Sequence, residues 1–137
     1  MSDPDCIFCK IIAGDLPSTV VDEDERTLAF MDIAPATRGH ALVVPRAHSA
    51  DLLEVDPDDL CAVSAASQRL AAHMKERLSA DGINLLNACG AVAFQSVFHF
   101  HMHVIPRYEG DGLRLPWTPS PGDPQAIAEA AQELQRG

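Results

Sequence analysis

His99, His101 and His103 alternate with Phe98, Phe100, Met102 and Val104 without a break, and they make up half of the 6 histidines in the chain. Imidazole works near neutral pH in three ways: it attacks as a nucleophile, it takes and returns protons, and it ligates metals. Side chains on a strand alternate faces, so the spacing predicts a strand across residues 96–106 with the imidazoles on one face and the apolar side chains in the core. A helix would scatter the same imidazoles by about 100° per residue. Same-face neighbours on a strand stand about 7 Å apart, near enough to share a metal. Neutral imidazoles grouped this way can equally hold, attack and protonate a phosphate ester or phosphoramidate. Spacing alone does not choose between the two.

A second pair with chemical character is Cys6 and Cys9, in Cys6-Ile7-Phe8-Cys9. A thioredoxin-like redox pair needs a preceding strand, for which residues 1–5 leave no room. Two buried thiols without function, or half of a zinc site that needs two more ligands elsewhere, are the other readings. Cys61 and Cys89 lie in apolar patterns and read as small core residues. Single histidines and carboxylates are less informative. His40 and His48 flank a predicted strand, Asp32 follows the run Leu28-Ala29-Phe30-Met31 as a turn or cap residue ahead of Pro35, and His73 reads as a partly exposed helix residue.

These residues need a scaffold. Residues 6–14 read as a short helix stopped at Gly14, with Pro17 beyond it. Residues 19–22 and 26–32 read as a hairpin around the solvated acidic turn Asp22-Glu23-Asp24-Glu25, and residues 40–45 as a third strand. Asp56-Pro57-Asp58-Asp59 is a strong helix start, and Leu60, Val63, Ser67, Leu70, Met74 and Leu78 form one buried stripe running to Gly82. Residues 83–87 read as a fourth strand and the histidine stretch as a fifth. Residues 110–137 form an extended, proline- and glycine-rich tail around Trp117, in which Asp123-Pro124 caps a last helix carrying Ile127, Ala131 and Leu134. The order predicts an α+β domain with a five-stranded, mainly antiparallel sheet, one long helix and a short N-terminal helix.

At 137 residues and 47% hydrophobic content, residues 1–137 are expected to form a single domain with one core. A net charge of -10 opposes loose binding to nucleic acid or anionic lipid. With no apolar leader and no membrane-length apolar run, the expected location is the cytoplasm.

The stretch His99-Phe100-His101-Met102-His103-Val104-Ile105 resembles the histidine-triad superfamily. The similarity extends in order through Cys6-Ile7-Phe8-Cys9-Lys10-Ile11-Ile12-Ala13-Gly14, Ala29-Phe30-Met31-Asp32-Ile33, Gly39-His40-Ala41-Leu42-Val43-Val44-Pro45 and Gln95-Ser96-Val97-Phe98. It is strongest to bacterial, zinc-carrying relatives of the histidine-triad nucleotide-binding proteins. The resemblance implies a homodimer whose two sheets join into one of ten strands, with a site in each subunit for a purine nucleoside monophosphate or its conjugates. By the same resemblance His101 is the nucleophile toward the α-phosphorus of a nucleoside phosphoramidate. His103 assists at the phosphate and leaving group, and His40 stands behind it in a hydrogen-bond chain. Gln95, Ser96 and Asn87 are implied as polar contacts to the phosphate, Asp32 as the acceptor for the ribose hydroxyls, and Ile7, Phe8, Ile11, Phe30 and Ile33 as walls of the base slot. Cys6, Cys9, His48 and His99 are implied as the ligands of a structural Zn2+.

One departure carries its own expectation. Relatives usually have glycine just before the Gln-Ser pair, where this chain has Phe94. Phenylalanine enters positive φ only at a cost, so either the loop takes another path or the phosphate site is altered. A nucleotide-binding protein with little turnover, and a metal-dependent hydrolase using the histidines as catalytic ligands, are the alternatives to the hydrolase.

Overall fold

The computed structural model describes residues 2–135; Met1 and residues 136–137, the ends of the expected domain, lie outside the described residues. The elements in chain order are α1 (Ile7–Ala13), β1 (Val20–Glu23), β2 (Thr27–Met31), β3 (Ala41–Pro45), α2 (Pro57–Arg77), β4 (Gly82–Leu86), a short 3₁₀ turn (Ala91–Ala93), β5 (Met102–Arg107) and α3 (Pro124–Gln135). The five strands form one sheet in the order β1-β2-β3-β5-β4, and every neighbouring pair is antiparallel. This is the α+β architecture expected from the sequence. No helix among the described residues is long and apolar enough to cross a membrane.

Alternation along the strands gives the sheet two different faces. Ala29, Met31, Ala41, Val43 and Val104 turn toward α2, where Val63, Ala66, Leu70 and Met74 cover them. Each fully buried valine, leucine or methionine among them contributes about 1.5–3 kcal/mol. Leu28, Phe30, Leu42 and Val44 turn the other way and pack against Cys6, Phe8 and Cys9 around α1. Register places Phe30 opposite Leu42 and Leu42 opposite His103, so the last histidine of the triad shares the α1 face.

Capping follows the sequence closely. Asp56 accepts the Asp58 N–H at the start of α2, with Pro57 in the first turn, and Gly14 closes α1 at φ 84. The stop of α2 differs: it ends at Arg77 with Leu78 as its cap rather than running to Gly82, because Ser79 turns into the left-handed region at φ 56. Cys61 is exposed rather than core, since it stands beside the buried stripe instead of on it. Cys89 is half-buried. The last helix forms at Pro124, but it has no buried residue, and Ile127 and Leu134 face solvent.

The main correction concerns the histidine stretch. Only its end is strand; β5 begins at Met102, and residues 96–101 follow an irregular path. The physical reason is that local groups take the backbone bonds a ladder would use. The Phe100 N–H donates to the Ser49 carbonyl, the His101 side chain donates to the His99 carbonyl, and the Asn87 amide donates to the His101 carbonyl. Strict alternation therefore fails upstream of His101. Phe98 is half exposed, while His99, Phe100 and His101 are all buried.

Candidate functional site

A cavity of about 380 Å³ opens on the α1 face of the sheet, within the size range of small-molecule sites. Ile7, Phe8, Ile11, Phe30, Asp32, Ile33, Ser96, His101 and His103 line it. Phe8 stands edge-on to His101, with ring centroids 5.1 Å apart and planes at 90°, and edge-on to Phe30 at 5.4 Å. Ile33 stands almost fully exposed at the lip. Leu16, Pro17 and Ser18 also line the cavity, from the turn that follows Gly14. Sequence reading missed them; the signal was Pro17 just beyond a helix stop, which turns the chain back toward the sheet.

Hydrogen bonds fix the state of each imidazole. His101 Nδ1 lies 2.7 Å from the His99 carbonyl, which can only accept, so Nδ1 carries the proton and donates it. The Nε2 lone pair of His101 is left free at the cavity. Burial pushes the His101 pKa down, which keeps the ring neutral and nucleophilic.

A second chain of bonds sets His103. The Ala36 backbone N–H donates to His40 Nδ1 at 2.9 Å, so the proton of His40 stands on Nε2. Nε2 lies 2.9 Å from His103 Nδ1 and donates to it, which leaves the proton of His103 on its own Nε2. One backbone amide thereby makes His103 a donor at its far nitrogen. Asp32 Oδ1 accepts the Ala34 N–H at 2.8 Å, and Oδ2 lies 3.5 Å from His40 Nε2 and 4.0 Å from His103 Nδ1. Asp32, His40 and His103 are close enough together to suggest a metal site. The bond from Ala36 argues against it, because a metal on His40 Nε2 would force the proton onto Nδ1 and set two donors face to face.

Burial, helped by His101 and His40 and opposed by Asp32, pushes His103 down to about 4 from 6.5. The unfolded chain therefore binds a proton between these values that the folded chain refuses. The stability present above pH 6.5 is lost as pH falls toward 4. Thermal unfolding across that window should show Tm falling with acid, with a shallower slope in His103→Gln. An NMR titration in which the His103 ring protonates near pH 6.5 would contradict this.

Two expected phosphate contacts sit differently from Ser96. Gln95 is buried and its side chain is spent on the loop: Oε1 accepts the Gly90 N–H, and Nε2 donates to the Ala50 and Val97 carbonyls. Asn87 holds the His101 carbonyl through Nδ2, and its buried Oδ1 has no partner among the described residues. Neither residue lines the cavity, whereas Ser96 does.

Phe94 answers the question raised by its sequence. It adopts the left-handed conformation a glycine would take, at φ 74, and the residue is 82% exposed and is not among those that line the cavity. Left-handed backbone costs a side-chain-bearing residue about 1–2 kcal/mol, while glycine loses about 0.5–1 kcal/mol through chain entropy. Phe94→Gly should therefore stabilise the fold by about 0.5–1 kcal/mol, read as a small rise in Tm; a clear fall would mean that the ring packs against something.

Cys6, Cys9, His48 and His99 converge behind the cavity, with one donor atom from each within 4.8 Å of the others. With Zn–N near about 2.05 Å and Zn–S near about 2.3 Å, the edges of a tetrahedral site come to about 3.3 Å between nitrogens and about 3.6 Å between nitrogen and sulfur. His48 Nδ1 and His99 Nδ1 are 3.3 Å apart, and three of the four nitrogen–sulfur pairs, Cys6–His99, Cys9–His48 and Cys9–His99, are 3.4, 3.5 and 3.6 Å apart. The outer contacts agree. His99 Nε2 donates to the Pro45 carbonyl at 2.9 Å, and His48 Nε2 faces Asp3 Oδ2 at 3.8 Å, so each ring turns Nδ1 inward. Burial pushes the Cys6 thiol up and His99 down to about 4. Neutral imidazole is the ligating form, and a buried thiolate needs a cation to balance it. The donor set fits a four-coordinate zinc.

Comparison with known proteins places this geometry among others of its kind. A family model described as the HIT domain matches residues 13–110. The chain is 47% identical over 113 residues to Protein hit of Bacillus subtilis, covering 82% of this chain and 78% of that protein. It is 38% identical over 130 residues to adenosine 5′-monophosphoramidase hnt1 of Schizosaccharomyces pombe, covering 94% and 95%. A zinc-bound histidine triad family protein of known crystal structure, from Mycobacterium smegmatis, superposes with a TM-score of 0.78 at 44% identity, covering 85% of this chain and 84% of that one.

Proposed function

The chain belongs to the HIT family, and from that premise we propose that it hydrolyses nucleoside phosphoramidates or related nucleotide conjugates through a nucleotidyl-histidine intermediate. The observation that carries this reading is the bond from His101 Nδ1 to the His99 carbonyl, which leaves Nε2 as a free nucleophile in a nucleotide-sized cavity. Nε2 attacks the α-phosphorus and the bond from phosphorus to the amine breaks. His103 Nε2–H and the Ser96 hydroxyl stand as donors where charge gathers on the phosphate and departing nitrogen. Water then cleaves the phosphorus–histidine bond and releases the nucleoside monophosphate. Two steps through imidazole avoid a direct attack by water on an anionic phosphate.

In this reading a purine base lies against the apolar side chains of Ile7, Phe8, Ile11, Phe30 and Ile33, and the Asp32 carboxylate, which lines the same cavity, accepts the ribose hydroxyls. Cys6, Cys9, His48 and His99 hold a structural zinc; four protein ligands leave no position for substrate. The 38% identity to a named monophosphoramidase supports the reaction class. Two copies pair through β4, an unpartnered edge strand on which Leu85 and Leu86 are exposed, into a ten-stranded sheet. A net charge of -10 opposes loose binding to nucleic acid, which supports a small-molecule substrate, and a cytoplasmic location belongs to the same proposal.

Rapid acid quench of the protein with an adenosine phosphoramidate, followed by mass spectrometry, should find adenylate on the peptide bearing His101. Tight adenosine monophosphate binding with neither adduct nor turnover would favour the binding protein instead. That alternative rested on Phe94, which is exposed and is not among the residues that line the cavity.

A further inference from the structure

We propose that a cavity beneath the C-terminal half of α2 is a second ligand site, which takes a small single-chain amphiphile with one anionic head group. The cavity measures about 330 Å³ and lies on the α2 side of the sheet. Its apolar surface comes from Val21, Met31 and Ala41 on three adjacent strands and from Leu70, Met74 and Leu78 on the helix. The flexible thioethers of Met31 and Met74 adapt to apolar chains of varied shape.

What selects the ligand is the rim. The chain carries 10 basic against 20 acidic residues, yet Arg38, Arg77 and His73 gather at this one apolar opening. Arg26, Arg46, Arg69 and Arg107 each reach a carboxylate within 4 Å. Among the described residues Arg38, Arg77 and Arg114 have no such partner, and the first two stand together at this apolar opening. Arg77 also suits the negative end of α2, but Arg38 lies in the turn before β3 and has no helix end to serve. An apolar pocket edged by unpaired guanidinium groups is complementary to a carboxylate or similar anion on an alkyl body.

The site is separate from the histidine cavity. Met31, Ala41 and Val104 share the α2 face, whereas Phe30, Leu42 and His103 share the other, and among the described residues only Met31 lines both cavities. The cavity is also at the β1 side of the sheet, at the opposite edge from β4, the strand proposed to pair.

Calorimetric titration of the zinc-loaded full chain with octanoate, 1-octanol and octyltrimethylammonium, all below micelle-forming concentrations, tests the proposal. Octanoate should bind once per chain and at least tenfold more tightly than octanol, with no detectable binding of the cation. The double variant Arg38→Ala/Arg77→Ala should weaken octanoate at least tenfold. Val21→Trp, at an exposed strand position, should fill the cavity and abolish binding, and thermal unfolding confirms that both variants are folded. Excess adenosine monophosphate should leave the octanoate isotherm unchanged. Equal affinity for octanoate and octanol, binding that survives both variants, competition by the nucleotide or the absence of saturable binding would each overturn it.

Discussion

Replacing His101 with alanine should reduce turnover of an adenosine phosphoramidate by on the order of 10⁴-fold or more while the fold survives. The ring is the one triad imidazole with a proton fixed inward and a lone pair left at the cavity, so no neighbour can take over its attack. His103 lies beside it with centroids 5.1 Å apart, but its outer nitrogen carries a proton and its inner one accepts from His40. Alanine removes a buried ring that packs against Phe8, which costs stability of the order of a single core truncation, about 2–3 kcal/mol. The informative measurement is the split between constants. Loss confined to kcat, with nucleotide affinity nearly kept, identifies a group that acts in the reaction, whereas loss of affinity with kcat intact would assign His101 to binding.

Cys9→Ala is the second large effect, and it reads out in metal content before activity. Cys9 lies within bonding reach of both His48 and His99 across the candidate zinc site, so its removal leaves three donors around a buried space. A ligand held at free concentrations about 1,000-fold above its Kd stabilises a fold by about 4 kcal/mol, and for a domain of this size that corresponds to about 15 °C in Tm. Atomic spectroscopy should find zinc near one per chain in the wild type and far below that in the variant, with Tm lowered to match. Unchanged stoichiometry would refute the site. Activity should fall as well, because His99 serves two masters: its ring faces the metal cluster and its carbonyl holds His101 Nδ1. Full activity in folded, zinc-stripped protein would exclude a catalytic metal; partial activity is the expected result.

Most of the scaffold was legible because its signals are local. Asp56-Pro57 and Gly14 cap their helices as written, and the stripe from Leu60 to Leu78 has a helical period whatever it packs against. Residues with two competing roles were harder. Ser79 ends α2 early through a backbone conformation that no composition announces, and Phe94 adopts glycine's conformation because the bonds from Gln95 to Gly90 and Ala50 hold its loop in shape. Gln95 and Asn87, polar residues beside a phosphate motif, spend their donors on backbone carbonyls in the structure. Only the folded chain reveals which acceptor is nearest.

The sequence by itself determined the element order, the helix caps, the two-faced sheet and the identity of the residues with chemistry, since each depends on residue type and spacing along the chain. Similarity across the ordered motifs added the pairing of Cys6 and Cys9 with two distant histidines. Tertiary structure alone decided how the three triad histidines differ. Their spacing is regular, yet His99 turns its ring to the cysteines, His101 turns a free nitrogen to the cavity and His103 takes its proton state from Ala36 through His40. Imidazole has two nitrogens and one proton, and which nitrogen holds it is set by partners up to 63 residues away in sequence.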